Sequence, residues 1–280
     1  MRETSNPVFR SLPKQQGGYA QFGSGVAGAQ QVAYQAEPYT TQYPSQTGVS
    51  RPMTIDDVVT KTGITLGVLS IVAVISYFLV SANLALAMPF TLVGALGGLA
   101  LVLVATFGRK QDNPAIVLSY AALEGLFLGA ISFVLANLVV SGANAGSLIG
   151  QAILGTIGVF FGMLIVYKTG AIRVTPKFTR MLVASMVGVL VLMLGNFVLS
   201  MFGTHDGGPL RNGGPLAIVF SLVCIALAAF SFLLDFDAAD QMIRAGAPEK
   251  AAWGVALGLT VTLVWLYLEI LRLLSYFQQR

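Results

Sequence analysis

Seven apolar runs follow one another along this 280-residue chain, and each is long enough to cross a lipid bilayer. A membrane-spanning helix needs about 20 predominantly apolar residues. Short segments rich in glycine, proline, asparagine and charge separate the runs. The runs cover roughly residues 62–83, 88–107, 115–140, 147–168, 179–202, 215–236 and 251–276. The sequence therefore predicts an all-α membrane domain of seven transmembrane helices over residues 62–280.

Composition excludes several other classes of protein. Only 10% of the residues are charged and 55% are hydrophobic, whereas a soluble protein carries about 25% charged residues. The net charge of +4 is spread between apolar runs, so the expected partner is the lipid bilayer and not nucleic acid. Cys224 is the only cysteine and His205 the only histidine, which excludes an intramolecular disulfide and a cysteine-based or two-histidine zinc site.

The first 61 residues differ from the rest of the chain. They are rich in glutamine, tyrosine and glycine and contain no long apolar run. Such a composition is typical of a disordered segment, so we expect a disordered tail over residues 1–61. At its end, Thr54 and Asp57 have the spacing of a helix N-cap and its N3 partner, which predicts a short helix that leads into the first span.

Positive charge predicts the orientation in the membrane, because cytoplasmic loops carry an excess of lysine and arginine. One side of the bundle receives ten basic residues near the ends of the runs, and the opposite side receives two, Arg211 and Arg280. We therefore expect a multi-pass protein of the bacterial inner (plasma) membrane with a cytoplasmic N-terminus. The C-terminus lies outside unless the last helix re-enters instead of spanning. The ten residues are Arg51, Lys61, Arg109, Lys110, Lys168, Arg173, Lys177, Arg180, Arg244 and Lys250.

Pairs of glycines four residues apart recur in the runs. Such pairs let helix backbones approach closely inside a membrane. They predict tight packing within the bundle, with dimerisation through one pair as the alternative. The pairs are Gly94 and Gly98, Gly125 and Gly129, Gly158 and Gly162, and Gly254 and Gly258.

Charged residues inside the predicted spans are the candidate functional residues, because charge within a bilayer is costly. Glu124 lies in the third run and Asp235 near the end of the sixth, each without an opposite charge within one helical turn. They indicate either an ion or proton site or a carboxylic acid kept for helix packing. Asp237 lies next to the polar end of the sixth run.

Two further charges stand late in the seventh run. Glu269 and Arg272 are three residues apart, so they can pair on one helix face. We expect this pair to form a second layer, at a different depth from the carboxylates of the third and sixth runs.

Depth along the helices groups some of these residues. With a rise of 1.5 Å per residue, Glu124 lies about 15 Å from the start of its span, and Asp235 at most about 18 Å from the turn that follows it. Thr262 reaches a similar level on the seventh helix, and Glu269 lies about 10 Å further on. Glu124, Asp235 and Thr262 are thus predicted to share one polar pocket, where Glu124 and Asp235 supply carboxylate oxygens suited to calcium.

Three segments resemble the Bax inhibitor-1 family, also called the YccA-like or transmembrane Bax-inhibitor-motif family, in its actinobacterial branch. They are LLDFD at residues 233–237, GLTVTLVWLYLEILR at residues 258–272 and SNPVF at residues 5–9. The Glu124-Gly125 pair is also similar to the family's third span. The resemblance implies seven helices, six of them wrapped around the seventh. It also implies a pH-sensitive calcium leak gated by two aspartates on the last two helices.

The sequence departs from that gating pattern at one position. Asp235 or Asp237 matches the aspartate of the sixth helix, but Thr262 stands where the resemblance places the second aspartate. Threonine carries no charge, so Glu124 or Glu269 would have to substitute for it in a two-carboxylate sensor.

We therefore expect a cation leak channel or exchanger that passes calcium with proton coupling, needs no cofactor and is not an enzyme. No phosphate-binding loop of the Gly-x-x-x-x-Gly-Lys type occurs, which excludes ATP-driven transport by this chain alone. The alternative is a non-conducting interaction or stress-regulatory protein that modulates a protease or another membrane complex, with the tail as its binding segment.

Overall fold

Seven long helices form the protein in a computed structural model, which describes residues 51–139, 145–202 and 208–278. All seven are long and apolar enough to cross a membrane, which confirms the predicted number of spans. The helices are α1 (Ile55–Ala82), α2 (Ala87–Phe107), α3 (Pro114–Phe133), α4 (Ala145–Thr169), α5 (Pro176–Phe202), α6 (Pro215–Arg244) and α7 (Ala252–Gln278). A π-helical segment, Val134–Val139, continues α3.

The first helix begins with the predicted cap. The Asp57 amide donates to the Thr54 hydroxyl at 3.3 Å, and the Thr54 amide donates to the Asp57 carboxylate at 2.9 Å. These reciprocal bonds satisfy amides that the first helical turn leaves unpaired. Residues 55–61, which the sequence assigns to the disordered tail, form the first two turns of α1. The rest of the predicted tail, residues 1–50, lies outside the described residues.

The segment before α1 is held against the turn between α6 and α7. The Met53 amide donates to the Ala247 carbonyl at 2.8 Å, and the Glu249 amide donates to the Arg51 carbonyl at 2.9 Å. Almost two turns into α1, the Lys61 ammonium donates to the Glu249 carbonyl at 2.7 Å and to its carboxylate at 3.2 Å. These bonds join the first helix of the bundle to its last hairpin.

The last helix, α7, lies at the centre of the bundle, as the sequence resemblance implies. Within its most apolar stretch 56% of the residues are buried, against 11% in α4 and 17% in α2 and α5. Helices α1, α3, α4 and α6 pack along α7, whereas α2 packs mainly on α3 and α5 mainly on α6.

Small residues allow the closest helix contacts, but not at every predicted glycine pair. A Cβ atom added at Gly129 would collide with the Ala73 carbonyl of α1, and one added at Gly94 would come within 2.6 Å of the Leu123 carbonyl of α3. Gly158 has no atom within 4 Å of such a position, and the same holds for Gly162. The prediction of tight packing is therefore confirmed for the glycine pairs on α2 and α3. It is wrong for the pair on α4, whose glycines face away from the bundle.

Candidate functional site

One hydrogen bond joins the two residues that the sequence places at the gating positions. Asp235 lies on α6 and Thr262 on α7, and the Thr262 hydroxyl donates to Asp235 Oδ2 at 2.7 Å. The same hydroxyl lies 3.2 Å from the Gly258 carbonyl, one turn earlier on α7. Thr262 is only 7% exposed, so little competes with these two acceptors for its single proton.

An open cavity of about 400 Å³ leads to Asp235. It lies at the end of the bundle where the α2–α3 turn meets the α6–α7 turn, which we call the basic end because Arg109, Lys110, Arg244 and Lys250 stand there. Its polar wall comes from the α2–α3 region, and its opposite wall is formed by α6 and α7. The wall residues are Thr106, Arg109, Gln111, Asp112, Asp235, Ala238, Met242, Ala251, Gly254, Val255 and Gly258.

The α2–α3 turn that forms the polar wall is anchored to the α6–α7 turn. Lys250 Nζ lies 2.9 Å from Asp112 Oδ2. This hydrogen bond holds the pKa of the Asp112 carboxyl below its usual range. Arg109 takes a left-handed backbone conformation with φ of 51°, which costs a non-glycine residue about 1–2 kcal/mol. The turn thus presents charged groups at the cavity, and neither apolar periodicity nor depth along a helix indicates them.

Glu124 is not part of this cavity. Its carboxylate faces α2, where Glu124 Oε2 would lie 2.5 Å from a Cβ atom at Gly98, with the Tyr120 ring at 3.7 Å from the same position. The structure therefore brings together only two of the three residues predicted to share a pocket. The depth along the helix axis suggested a common level, but depth does not specify the direction in which a side chain leaves its helix.

Asp237 points to a different neighbour from Asp235. Its Oδ2 accepts from the Gln241 amide at 2.6 Å, and its Oδ1 lies 3.5 Å from the Tyr167 hydroxyl of α4. A step of two residues along an α-helix changes the direction of the side chain about the helix axis by about 200°. Asp237 is thus turned towards α4 and away from Thr262, and Asp235 is the aspartate at the α6–α7 interface.

A second charged cluster lies nearer the other end of α7. Glu269 and Arg272 pair as predicted, with Arg272 Nη1 at 3.1 Å from Glu269 Oε1. The sequence missed a third member, Arg211, whose Nη2 lies 3.2 Å from the same oxygen. Arg211 stands in the segment before α6, and only the bundle geometry brings it to α7. The Tyr276 hydroxyl fixes that segment by donating to the Arg211 carbonyl at 3.3 Å.

The carboxylates do not gather into a larger cluster. Within residues 51–139, 145–202 and 208–278, no group of three or more histidine, cysteine, aspartate or glutamate side chains is placed to hold a metal ion. A calcium ion takes six to eight oxygen ligands. The described side chains thus leave the calcium site of Asp235 and Glu124 a prediction.

Seven apolar helices, the last of them buried at the centre of the bundle, define a multi-pass membrane protein. A family model described as Bax inhibitor 1 like matches residues 6–279, and the chain therefore belongs to the Bax inhibitor 1 like family. It is also 29% identical over 140 residues to an uncharacterized protein of Chlamydia muridarum (strain MoPn / Nigg). That match covers 49% of this chain and 51% of the relative, so the chain spans about half the length of the curated relative it matches.

Proposed function

We propose that the chain is a pH-sensitive cation leak channel or exchanger for calcium, in the inner (plasma) membrane with a cytoplasmic N-terminus. One observation carries the proposal. A carboxylate from a membrane-spanning helix, Asp235, stands at the wall of an open cavity, where it is bound to the buried Thr262. Ionisable residues inside a membrane are costly and commonly mark ion or proton pathways.

The oxygens around Asp235 suit a hard cation. Both carboxylate oxygens, the Thr262 hydroxyl and the Gly258 carbonyl lie on neighbouring turns of α6 and α7. Calcium binds oxygen ligands of these types, and water completes its shell in open sites. Because only one of these protein groups is charged, the site favours brief binding during passage over permanent retention.

Proton sensing follows from competition at the same carboxylate. In the ionised form, Asp235 accepts a hydrogen bond from the Thr262 hydroxyl. In the protonated form, Asp235 can donate to the Thr262 oxygen while that hydroxyl turns to the Gly258 carbonyl. The α6–α7 contact is kept in both forms. The proton therefore acts by displacing a cation, and no repulsion between two carboxylates is needed.

Calcium efflux from liposomes that contain the purified protein tests the proposal. The Asp235→Asn variant removes the titratable group and should abolish or strongly alter pH-dependent flux. Asp240→Asn is a matched control on the same helix, because Asp240 pairs with Arg244 at 2.8 Å and does not line the cavity. Wild-type flux at every pH in Asp235→Asn would contradict the proposal.

The alternative is a non-conducting interaction protein, and the contact between residues 51–53 and the α6–α7 turn favours it. A partner that binds the preceding residues would pull on the two helices that hold Asp235 and Thr262. Deletion of residues 1–50 separates the two functions. A channel should keep its flux, whereas an interaction protein should lose its membrane partner.

A further inference from the structure

A second cavity opens on the side of the bundle, between α1 and α4. Its volume is about 520 Å³. The central helix contributes Leu263, Val264 and Tyr267 to its lining, and α3 contributes Leu128, Gly129 and Ser132. We call this cavity the lateral groove.

The lateral groove offers mainly apolar surface. Among the residues that the structure describes, no lysine, arginine, aspartate or glutamate lines it. The Ser132 and Tyr267 hydroxyls in its lining satisfy each other in one hydrogen bond of 2.8 Å, and the Thr156 hydroxyl donates to the Ala152 carbonyl of its own helix. An occupant therefore needs no charge and gains chiefly from apolar contact.

The mouth of the lateral groove faces hydrocarbon. Phe78 of α1 is 64% exposed and Ile157 of α4 is 46% exposed. Both residues line the groove and lie well inside helices long enough to span a membrane. Acyl chains surround such residues in a bilayer. A groove left empty there would lose dispersion contacts on both of its walls.

We infer that one acyl chain of a membrane phospholipid lies in the lateral groove and reaches the central helix. The groove volume falls within the range of about 300–1,000 Å³ that is usual for ligand sites. The uncharged lining, the internally satisfied hydroxyl pair and the mouth at hydrocarbon depth all match an acyl chain. This inference is independent of cation conduction.

The test uses a phosphatidylcholine with a photoreactive diazirine on its acyl chain. The full-length protein is reconstituted in phosphatidylethanolamine and phosphatidylglycerol vesicles that contain this lipid. After illumination, mass spectrometry locates the label. Residues 263–267 of α7 should be labelled in the wild type, because the groove admits the chain to an otherwise buried helix. Label on the exposed face of α5, at Val191 and Leu194, measures ordinary lipid contact.

Two variants fill the groove and one matched variant does not. Gly146 lines the groove, and a Cβ atom added there meets no atom within 4 Å. Ser70 lines it from α1 and is exposed. Gly146→Phe and Ser70→Phe should lower the α7-to-α5 label ratio several-fold. Gly158→Phe should leave the ratio unchanged, because Gly158 has equal free space on α4 but does not line the groove.

Three outcomes would overturn the inference. They are a wild-type protein without label at residues 263–267, a label ratio that neither groove variant lowers, and a dimer that Gly146→Phe converts to a monomer. The last result would make a second copy of the chain the occupant. Thermal unfolding in detergent shows which variants fold. If Gly146→Phe does not fold, the label ratio of Ser70→Phe tests the inference.

Discussion

Asp235 and Thr262 stand 27 residues apart in the chain and meet across the α6–α7 interface through one hydrogen bond of 2.7 Å. A threonine hydroxyl can donate to a carboxylate or accept from a carboxylic acid. The contact therefore persists whether or not Asp235 is protonated. Two aspartates at the same positions would both be ionised at high pH and would repel each other.

The first prediction concerns the Thr262 hydroxyl. Thr262→Val keeps the shape of the side chain but removes the donor to Asp235. It should lower stability by about 0.6 kcal/mol and by no more than about 1.7 kcal/mol, the mean and the maximum measured for hydrogen bonds between membrane helices. Thr262→Ser keeps the donor and should cost less. Thermal unfolding in detergent measures both variants. Equal stability of the valine variant and the wild type would show that the bond contributes nothing.

The second prediction concerns the three charges around Glu269. Each arginine donates to the same carboxylate oxygen, and the Glu269 side chain is only 2% exposed. Arg211→Gln or Arg272→Gln alone leaves one partner for Glu269. The double variant leaves a buried charge unpaired and should cost about 3–5 kcal/mol, more than the sum of the single costs. A double-mutant cycle by chemical unfolding tests this, and simple additivity would contradict it.

The third prediction concerns helix contact between α1 and α3. A methyl group at Gly129 would collide with the Ala73 carbonyl and come within 2.6 Å of Ser76 Cβ. Gly129→Ala should therefore destabilise the bundle by about 1–3 kcal/mol, as overpacking does. Gly158→Ala is the matched control and should be neutral or slightly stabilising, because its new methyl meets no neighbour. Melting temperatures in detergent decide it, and equal shifts in the two variants would contradict the packing.

The fourth prediction concerns pH and the α2–α3 turn. The hydrogen bond from Lys250 lowers the pKa of Asp112 below its usual value of 3.8. A carboxyl whose pKa is lowered by folding stabilises the protein above its unfolded pKa and loses that effect as pH falls through the folded pKa. Asp112→Asn should thus cost up to about 1 kcal/mol at neutral pH, the usual limit for an exposed pair.

A measurement at low pH is the control for the Asp112–Lys250 pair. As the pH falls below about 3.8, the stability difference between Asp112→Asn and the wild type should shrink to nothing. Unfolding in detergent at a series of pH values measures it. A difference that grows towards low pH would contradict the assignment of the effect to this carboxylate.

The helices could be predicted from the sequence because their signals are local. Apolar length marks each span, and the Thr54–Asp57 spacing marks the start of α1. The sequence placed the first span too late, at residue 62, because the charged residues Asp56, Asp57 and Lys61 lower the hydropathy of the first turns. The contact of Lys61 with Glu249 in the α6–α7 turn is tertiary information, which hydropathy along the chain does not contain.

The candidate site could be predicted only in part, for a related reason. Residue depth follows from counting along a helix, and it correctly placed Asp235 beside Thr262. Rotation about the helix axis depends on which neighbour each face contacts, so the orientation of Glu124 towards α2 did not follow. Arg211 reaches Glu269 because of the course that the segment before α6 takes. No periodic pattern in the sequence predicts that course.

The bond between Lys61 and Glu249 sets a condition on how the protein is made. The two residues are separated by 188 positions in the chain. Ribosomes add about 5–20 residues per second, so roughly 10–40 s pass between the synthesis of one partner and the other. During that time α1 is already in the bilayer, and its lysine lacks the carboxylate and the carbonyl that later receive its protons. The native arrangement of the first helix is therefore completed only when the last hairpin is inserted, and in a chain truncated before α6 the ammonium group near the start of the first span would lack both of its Glu249 partners.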